Sequence, residues 1–223
     1  MARDPSAENC VLCGANGLAF YHRDARREYW HCSTCELVQV PRSWHLEPGA
    51  EKAHYDLHQN DAADPGYRQF LSRTFNPVVA RLNAGAEGLD FGCGPGPTLS
   101  LMFREAGFFC AEYDLFYAPD AGVLQRPYDF ITATEVVEHL SMPGQVLNRL
   151  WQLLRPGGVL ALMTKRVLSV EKFATWHYRN DPTHIAFFHQ HTFEWLARRW
   201  GAELVFPESD VVLFQGIHSR QDG

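Results

Sequence analysis

Four cysteines form the strongest chemical pattern in the chain. Cys10-x2-Cys13 is followed, after eighteen residues, by Cys32-x2-Cys35. Two such pairs brought together offer four thiolates in the tetrahedral arrangement of structural zinc. A redox dithiol pair, or a module that has lost its metal, are the other readings of this spacing. A second pattern is Asp90-Phe91-Gly92-Cys93-Gly94-Pro95-Gly96, which lies between a short apolar run and Pro97-Thr98-Leu99-Ser100-Leu101-Met102-Phe103. Glycines at such a strand-to-helix turn let a ligand approach the backbone, and the unpaired N–H groups of the helix start face it. Alone, the turn implies a nucleoside-like cofactor and no more. A third pattern is Glu135-Val136-Val137-Glu138-His139. If helical, it sets Glu135, Glu138 and His139 on one face. Downstream, His177, His184, His189 and His191 are four of the eleven histidines, a concentration that suggests a site.

These residues need elements to hold them. Leu18–Tyr21, Arg27–His31 and Leu37–Val40 read as three short strands, the last stopped by Pro41. Too little core is available for this unit to fold alone, so a metal would supply the missing stability. Residues 41–65 read as irregular, with Pro41, Pro48, Gly49 and Pro65, and their His54-to-Asp61 segment fits either a covering loop or a solvated linker. A one-sided helix is expected over 66–84, interrupted at Pro77, and another over 97–106. Strands are expected at 108–114, 128–134 and 159–164, with helices at 144–154 and 192–200 and two final strands at 202–206 and 210–215 around Pro207-Glu208-Ser209. Strands alternating with helices predict an α/β fold. Its sheet is Rossmann-like and mostly parallel, with a C-terminal antiparallel hairpin and a small N-terminal zinc ribbon added. The boundaries expected are 1–41 for the ribbon, 42–65 for the linker or covering loop and 66–223 for the main domain.

The 223 residues are 46% hydrophobic and 21% charged, with net charge −6. That composition fits a globular protein, and the acidic balance disfavours nucleic acid as a partner. No apolar run is long enough for a membrane span, and Met1–Pro5 has no signal-peptide core, so the expected location is cytoplasmic. Cys93 and Cys110 sit in apolar runs as buried thiols.

Asp90-Phe91-Gly92-Cys93-Gly94-Pro95-Gly96, Asp114, Tyr128-Asp129-Phe130-Ile131 and Leu154-Arg155-Pro156-Gly157-Gly158, in that order, resemble the signature of class I S-adenosylmethionine-dependent methyltransferases. The resemblance covers roughly residues 66–216. It implies that Asp90, Gly92, Gly94 and Gly96 hold the methionine end of S-adenosylmethionine and that Asp114 accepts the ribose hydroxyls. Glu135 would face cofactor and substrate. Between Asp114 and Asp129 the chain is too short for the usual helix and third strand, which leaves Phe116, Leu124 and Gln125 as candidates for the adenine pocket.

Glu135-Val136-Val137-Glu138-His139 resembles the Glu-x-x-Glu-His of ubiquinone-pathway O-methyltransferases and of small-RNA 2′-O-methyltransferases. In those families both glutamates, the histidine and one later histidine hold a divalent ion beside the substrate hydroxyl. Thr183-His184 resembles the later segment, so the implied set is Glu135, Glu138, His139 and His184. The same motif also occurs without metal, with His139 or His184 as base. Catalytic candidates are therefore His139, His184 and Glu135. His177, His189 and His191 fit surface or helix-start positions. The cysteine module looks like the zinc module ahead of some sugar C-methyltransferases. The expected activity is O-methylation of a small-molecule or glycan-type hydroxyl. An RNA methyltransferase and a non-catalytic, cofactor-binding zinc-ribbon adaptor are the alternatives.

Overall fold

A computed structural model describes residues 8–57 and 61–216. His58, Gln59 and Asn60, part of the expected covering segment, lie outside the described residues, as do the two termini.

The centre is a six-stranded sheet. Its strands are β4 (Glu87–Phe91), β5 (Phe109–Tyr113), β6 (Tyr128–Thr134), β7 (Leu154–Met163), β10 (Ala202–Val205) and β11 (Val211–Gly216). The order across the sheet is β10-β11-β7-β6-β4-β5. β5, β4, β6 and β7 run parallel, while β11 is antiparallel to both β7 and β10. This is the expected Rossmann-like sheet with its C-terminal hairpin. Alternation along β7 sorts the core into two layers: Leu160 and Leu162 face one side, and Val159, Ala161 and Met163 the other. The second side is covered by α2 (Pro65–Val79), through Leu71 and Val78, and α3 (Thr98–Glu105), through Leu99, Met102 and Phe103. The first is covered by α4 (Pro143–Gln152), through Leu147 and Leu150, and α6 (Gln190–Trp200), through Phe193 and Leu196. Gly201, at φ +62°, ends α6 in the left-handed conformation that an L side chain resists.

The cysteine module forms β1 (Ala19–Arg23), β2 (Glu28–His31) and β3 (Val38–Gln39). Their sheet does not stop at β3. It continues through β9 (Ala186–His189), where Val38 pairs with Phe187, and on to β8 (Arg166–Val167). Tyr29, Val38, Val40, Phe173, Tyr178 and Phe187 close a third apolar cluster beneath it, next to α5 (Val170–Ala174). The first cysteine knuckle also packs on the main body. Gly144, in the first turn of α4, donates its N–H to Val11 O at 3.2 Å, and a Cβ there would stand 2.1 Å from Leu12 O. Only glycine allows that approach.

The stretch expected to be irregular, 41–65, contains α1 (Pro48–Tyr55), so that expectation is corrected. Pro48 starts this helix at a position where its missing N–H costs nothing. Helix α2 ends at Val79, with Pro77 tolerated in its last turn. Arg155, of the Arg-Pro-Gly-Gly segment, pairs with Glu87 at 2.7 Å and Asp129 at 2.6 Å, and so ties together the starts of β4 and β6. Among the described residues, no helix is long and apolar enough to cross a membrane.

Candidate functional site

The C-terminal ends of β4, β5 and β6 open onto a cavity of about 780 Å³, the usual ligand position of an open α/β sheet. Gly92 turns the chain off β4 at φ +74°, where a Cβ would lie 2.4 Å from Val136 Cγ2. Gly94 follows at φ +64°. Gly92 N–H donates to Tyr113 O at 2.7 Å, and Gly94 N–H donates to Asp114 Oδ2 at 3.0 Å. The other Asp114 oxygen accepts Phe116 N–H at 2.8 Å and Tyr117 N–H at 3.1 Å. Asp114 therefore holds the glycine turn and the β5 loop together while lining the cavity. Gly96 leads directly into α3, accepting Thr98 N–H at 2.7 Å. Asp90 lies under the turn, 2% exposed, and accepts the Thr132 hydroxyl at 2.8 Å. Burial pushes its carboxyl up to about 7.

Of the three residues expected near the adenine, Phe116 lines the cavity and Leu124 and Gln125 do not. The segment Ala121–Gln125 is a single 3₁₀ turn. Leu124 packs on the core and Gln125 faces solvent. Glu112, the other acid of β5, is occupied by Arg104 at 2.6 Å and Ser100 at 2.5 Å.

The opposite wall carries the acids and histidines. Glu135 follows β6 at φ +53°, a conformation uncommon for residues with a Cβ and concentrated at functional sites. Residues Val137–His139 make one 3₁₀ turn, so the Glu-x-x-Glu-His segment is not an α-helix. Glu138 is fully buried, and one of its oxygens takes the Tyr178 hydroxyl. That hydroxyl also lies 3.5 Å from Glu135 Oε2 and 3.1 Å from Thr164 Oγ1. A phenol has one proton to donate. Glu135 Oε1 and Glu138 Oε2 remain without a hydrogen-bond partner. Burial raises both carboxyls, and for Glu138 the neighbouring Glu135 charge adds to it. Burial and the two carboxylates likewise push the Tyr178 hydroxyl far up.

His139 Nδ1 lies 3.2 Å from Thr183 O, and His184 Nδ1 lies 2.7 Å from Tyr178 O. A carbonyl only accepts, so each Nδ1 carries a proton, and in the neutral ring Nε2 is the lone-pair atom. The two ring centroids are 4.7 Å apart. Donor atoms of Glu138, His139 and His184 all lie within 4.8 Å of one another. Glu135 adjoins this group through Tyr178 but stands outside it. Asp181 Oδ2 is 3.2 Å from His54 Nε2 and 3.8 Å from His184 Nε2. Burial lowers the His184 imidazole, with Asp181 opposing, which favours the neutral ring. Tyr55 of α1 meets His139 edge-on at 5.3 Å. His177 lies beside Lys165 at 3.3 Å, His189 caps α6, and His191 is exposed.

In the N-terminal module Cys10 Sγ is 3.4 Å from Cys35 Sγ, and Cys13 Sγ is 3.5 Å from Cys32 Sγ. All four sulfurs lie within 4.8 Å of one another and none is in a disulfide. A zinc–sulfur bond of ~2.3 Å corresponds to a tetrahedron edge of ~3.8 Å, so the set fits one ion. The two knuckles match: Gly14 N–H donates to Cys10 O at 2.9 Å, and Glu36 N–H to Cys32 O at 2.8 Å. Both donors have positive φ, +78° and +61°.

Residues 65–205 match a family model described as a methyltransferase domain. The chain belongs to the methyltransferase-domain family. It is 29% identical over 89 residues to a ubiquinone biosynthesis O-methyltransferase of Caulobacter vibrioides, which covers 40% of this chain and 28% of that protein. Against a tRNA 5-carboxymethoxyuridine methyltransferase of Escherichia coli K12, identity is 44% over 54 residues, covering 24% of this chain and 19% of that protein. The chain thus spans about a quarter of the length of these curated relatives. The structure of magnesium protoporphyrin IX methyltransferase from Synechocystis, solved with bound SAH, superposes with a TM-score of 0.51. Identity there is 16%, over 79% of this chain and 98% of that one. That likeness concerns the fold.

The cavity also has walls beyond the residues expected from the sequence. Tyr55 of α1 belongs to the His54-to-Asp61 segment read as a possible covering loop, whereas Glu51 from α1, Tyr67 from α2 and Asp181 from the loop before His184 were not expected. Asp181-Pro182 next to Thr183-His184 was the available signal for the last of these. A buried tyrosine, Tyr178, reaching both glutamates from the His177–Asn180 turn had none.

Proposed function

We propose that this methyltransferase transfers the methyl of S-adenosylmethionine to a hydroxyl of an uncharged small-molecule or glycan-type acceptor. The observation that carries this reading is the lining of the cavity. Glu51, Asp90, Asp114, Glu135 and Asp181 are its charged residues, and no lysine or arginine is among the described lining residues. A phosphate or carboxylate on the acceptor would have no cationic partner there, whereas nucleic-acid sites present a basic surface. The same lining supports a small molecule over RNA.

The turn Gly92–Gly96, with Asp90 beneath it and Asp114 beside it, seats the cofactor, and Glu135 faces the reacting side. Bound S-adenosylmethionine supplies an electrophilic methyl. The protein's part is to align the hydroxyl and take its proton. His184 presents Nε2 to the cavity as the base, and Asp181 stabilises the imidazolium that results. Glu138, His139 and His184 also make a donor set that suits a divalent cation. The partnerless Glu138 Oε2 fits that role; with such an ion bound, the His184 Nε2 lone pair would be a ligand in place of the base, and the ion would acidify the acceptor hydroxyl. Cys10, Cys13, Cys32 and Cys35 hold a structural zinc ion.

Two measurements test this reading. Calorimetry should give S-adenosylhomocysteine binding, and absence of binding at high micromolar ligand would refute the cofactor assignment. Labelled methyl transfer to neutral phenols, catechols and saccharides should exceed transfer to total tRNA. Label recovered mainly in RNA would overturn the acceptor class.

A further inference from the structure

The ribbon's β1–β2 hairpin reaches the acceptor side of the cavity mainly through Arg27, beside which Asp24 pairs with Arg179 and Arg26 meets Asn180. Arg27, 6% exposed, lies at the hairpin turn. Its Nη1 donates to Pro182 O at 3.0 Å, and its Nη2 donates to Arg179 O at 2.8 Å and Asp181 O at 2.9 Å. Nε donates to Tyr29 Oη at 3.0 Å, and Tyr29 in turn donates to Asp24 Oδ2 at 2.8 Å. One guanidinium thus satisfies three carbonyls of a loop that has no strand or helix partner for them. The residues held next are the functional ones. Asp181 Oδ1 accepts Thr183 N–H at 2.8 Å, Thr183 O meets His139 Nδ1, and His184 N–H donates to Asp181 O at 3.3 Å.

We propose that Arg27 is a positioning residue: the ribbon hairpin uses it to fix the 179–184 loop and thereby aim His184 and His139 into the cavity. The cysteine module is then a working part of the acceptor site and not an appended tag. This rests on the reading of His184 and His139 as the acceptor-side residues. Arg27 lies outside the cavity lining, so its effect reaches the acceptor only through the loop.

The test compares the full chain with Arg27→Met and Arg27→Lys by nitrogen-15 NMR of the histidine rings. The parent should show His184 and His139 each as a single Nδ1–H tautomer. Arg27→Met should lose that pattern at both rings while the exposed His191 signal stays in place. Affinity for S-adenosylhomocysteine should stay within about twofold, because the glycine turn is a separate site. Arg27→Lys should not restore the pattern, because a single ammonium does not span three carbonyls and a phenol. Unshifted His184 and His139 rings in a cofactor-binding variant would overturn the proposal. If Arg27→Met fails to bind cofactor at all, Arg27→Lys, which keeps the charge and most of the stem but cannot span the three carbonyls, decides the matter: unchanged rings there refute it equally. A parent chain that does not bind S-adenosylhomocysteine would instead refute the methyltransferase reading, so the two failures are distinct.

Discussion

Replacing Gly144 by alanine sets two opposed effects against each other. Alanine is the better helix former by up to ~1 kcal/mol, and it also narrows the unfolded ensemble. Against this, the new Cβ would lie 2.1 Å from Leu12 O, 2.9 Å from Leu12 C and 3.1 Å from Leu12 Cα. All three are backbone atoms and cannot rotate away, so the first cysteine knuckle must retreat by about 1 Å to reach ordinary contact. That retreat breaks the Gly144 N–H to Val11 O hydrogen bond, worth about 1 kcal/mol, and adds overpacking of about 1–3 kcal/mol. The clash wins, with a net loss of about 1–3 kcal/mol. For a chain of this size that is a fall in melting temperature of roughly 3–10 °C. Zinc transfer to a chromogenic chelator should also quicken. Gly49→Ala, in α1, is the control: no atom lies within 4 Å of its added Cβ, and it should melt at or slightly above the parent. A Gly144→Ala variant that melts as high as the parent would refute the knuckle–helix contact as described.

Other perturbations follow from the same geometry. Gly92→Ala should weaken S-adenosylhomocysteine binding at least about tenfold in calorimetry, since a side chain at φ +74° also strikes Val136; an unchanged Kd would count against the turn as the cofactor seat. Metal analysis should find about one zinc per chain, lost in Cys10→Ser/Cys13→Ser; zinc retained in that variant would sink the ribbon assignment. Asp24 provides a pH signature. Burial pushes its carboxyl up, but the Arg26 and Arg27 amides, the Tyr29 hydroxyl and Arg179 outweigh it and bring it down to about 2. A carboxyl lowered on folding stabilises above its unfolded value near 4, and that contribution is lost as pH falls toward 2. The loss is roughly 2 kcal/mol, read as the urea midpoint against pH. In Asp24→Asn this acid limb should flatten, and an unaltered limb would show that Asp24 is not its source.

The parts of the fold legible in the sequence are those with local signals. The glycine turn, the paired Cys-x2-Cys knuckles, the apolar Val159–Met163 run of β7 and the Gly201 stop each mark themselves by residue type at fixed spacing. His139 and His184 were legible as a pair only through a resemblance, and their approach through Thr183 O and Tyr178 O depends on a loop without period. β9 was missed because four residues, Ala186–His189, are too few to distinguish a strand from the lead-in to α6. α1 was missed because Pro48-Gly49 reads as a breaker, although proline suits a first helical turn. Leu124 and Gln125 were misplaced because a shortened connection was filled by one 3₁₀ turn facing the core and solvent. The Arg27 contacts join residues more than 150 positions apart, and no window of sequence contains both.

The shared sheet also imposes an order of events during synthesis. Gln39 on β3 pairs with Ala186 on β9, so 147 residues separate the two partners. At 5–20 residues per second, the ribosome needs roughly 7–30 s to deliver the second after the first. Throughout that interval the nascent ribbon exposes a bare strand edge, the kind that recruits foreign strands. The cysteine knuckles lie upstream of β9 and can take their metal within that time. An early metal-loaded ribbon would hold β3 in register until its partner emerges, so zinc supply during translation should influence how much chain reaches the native state.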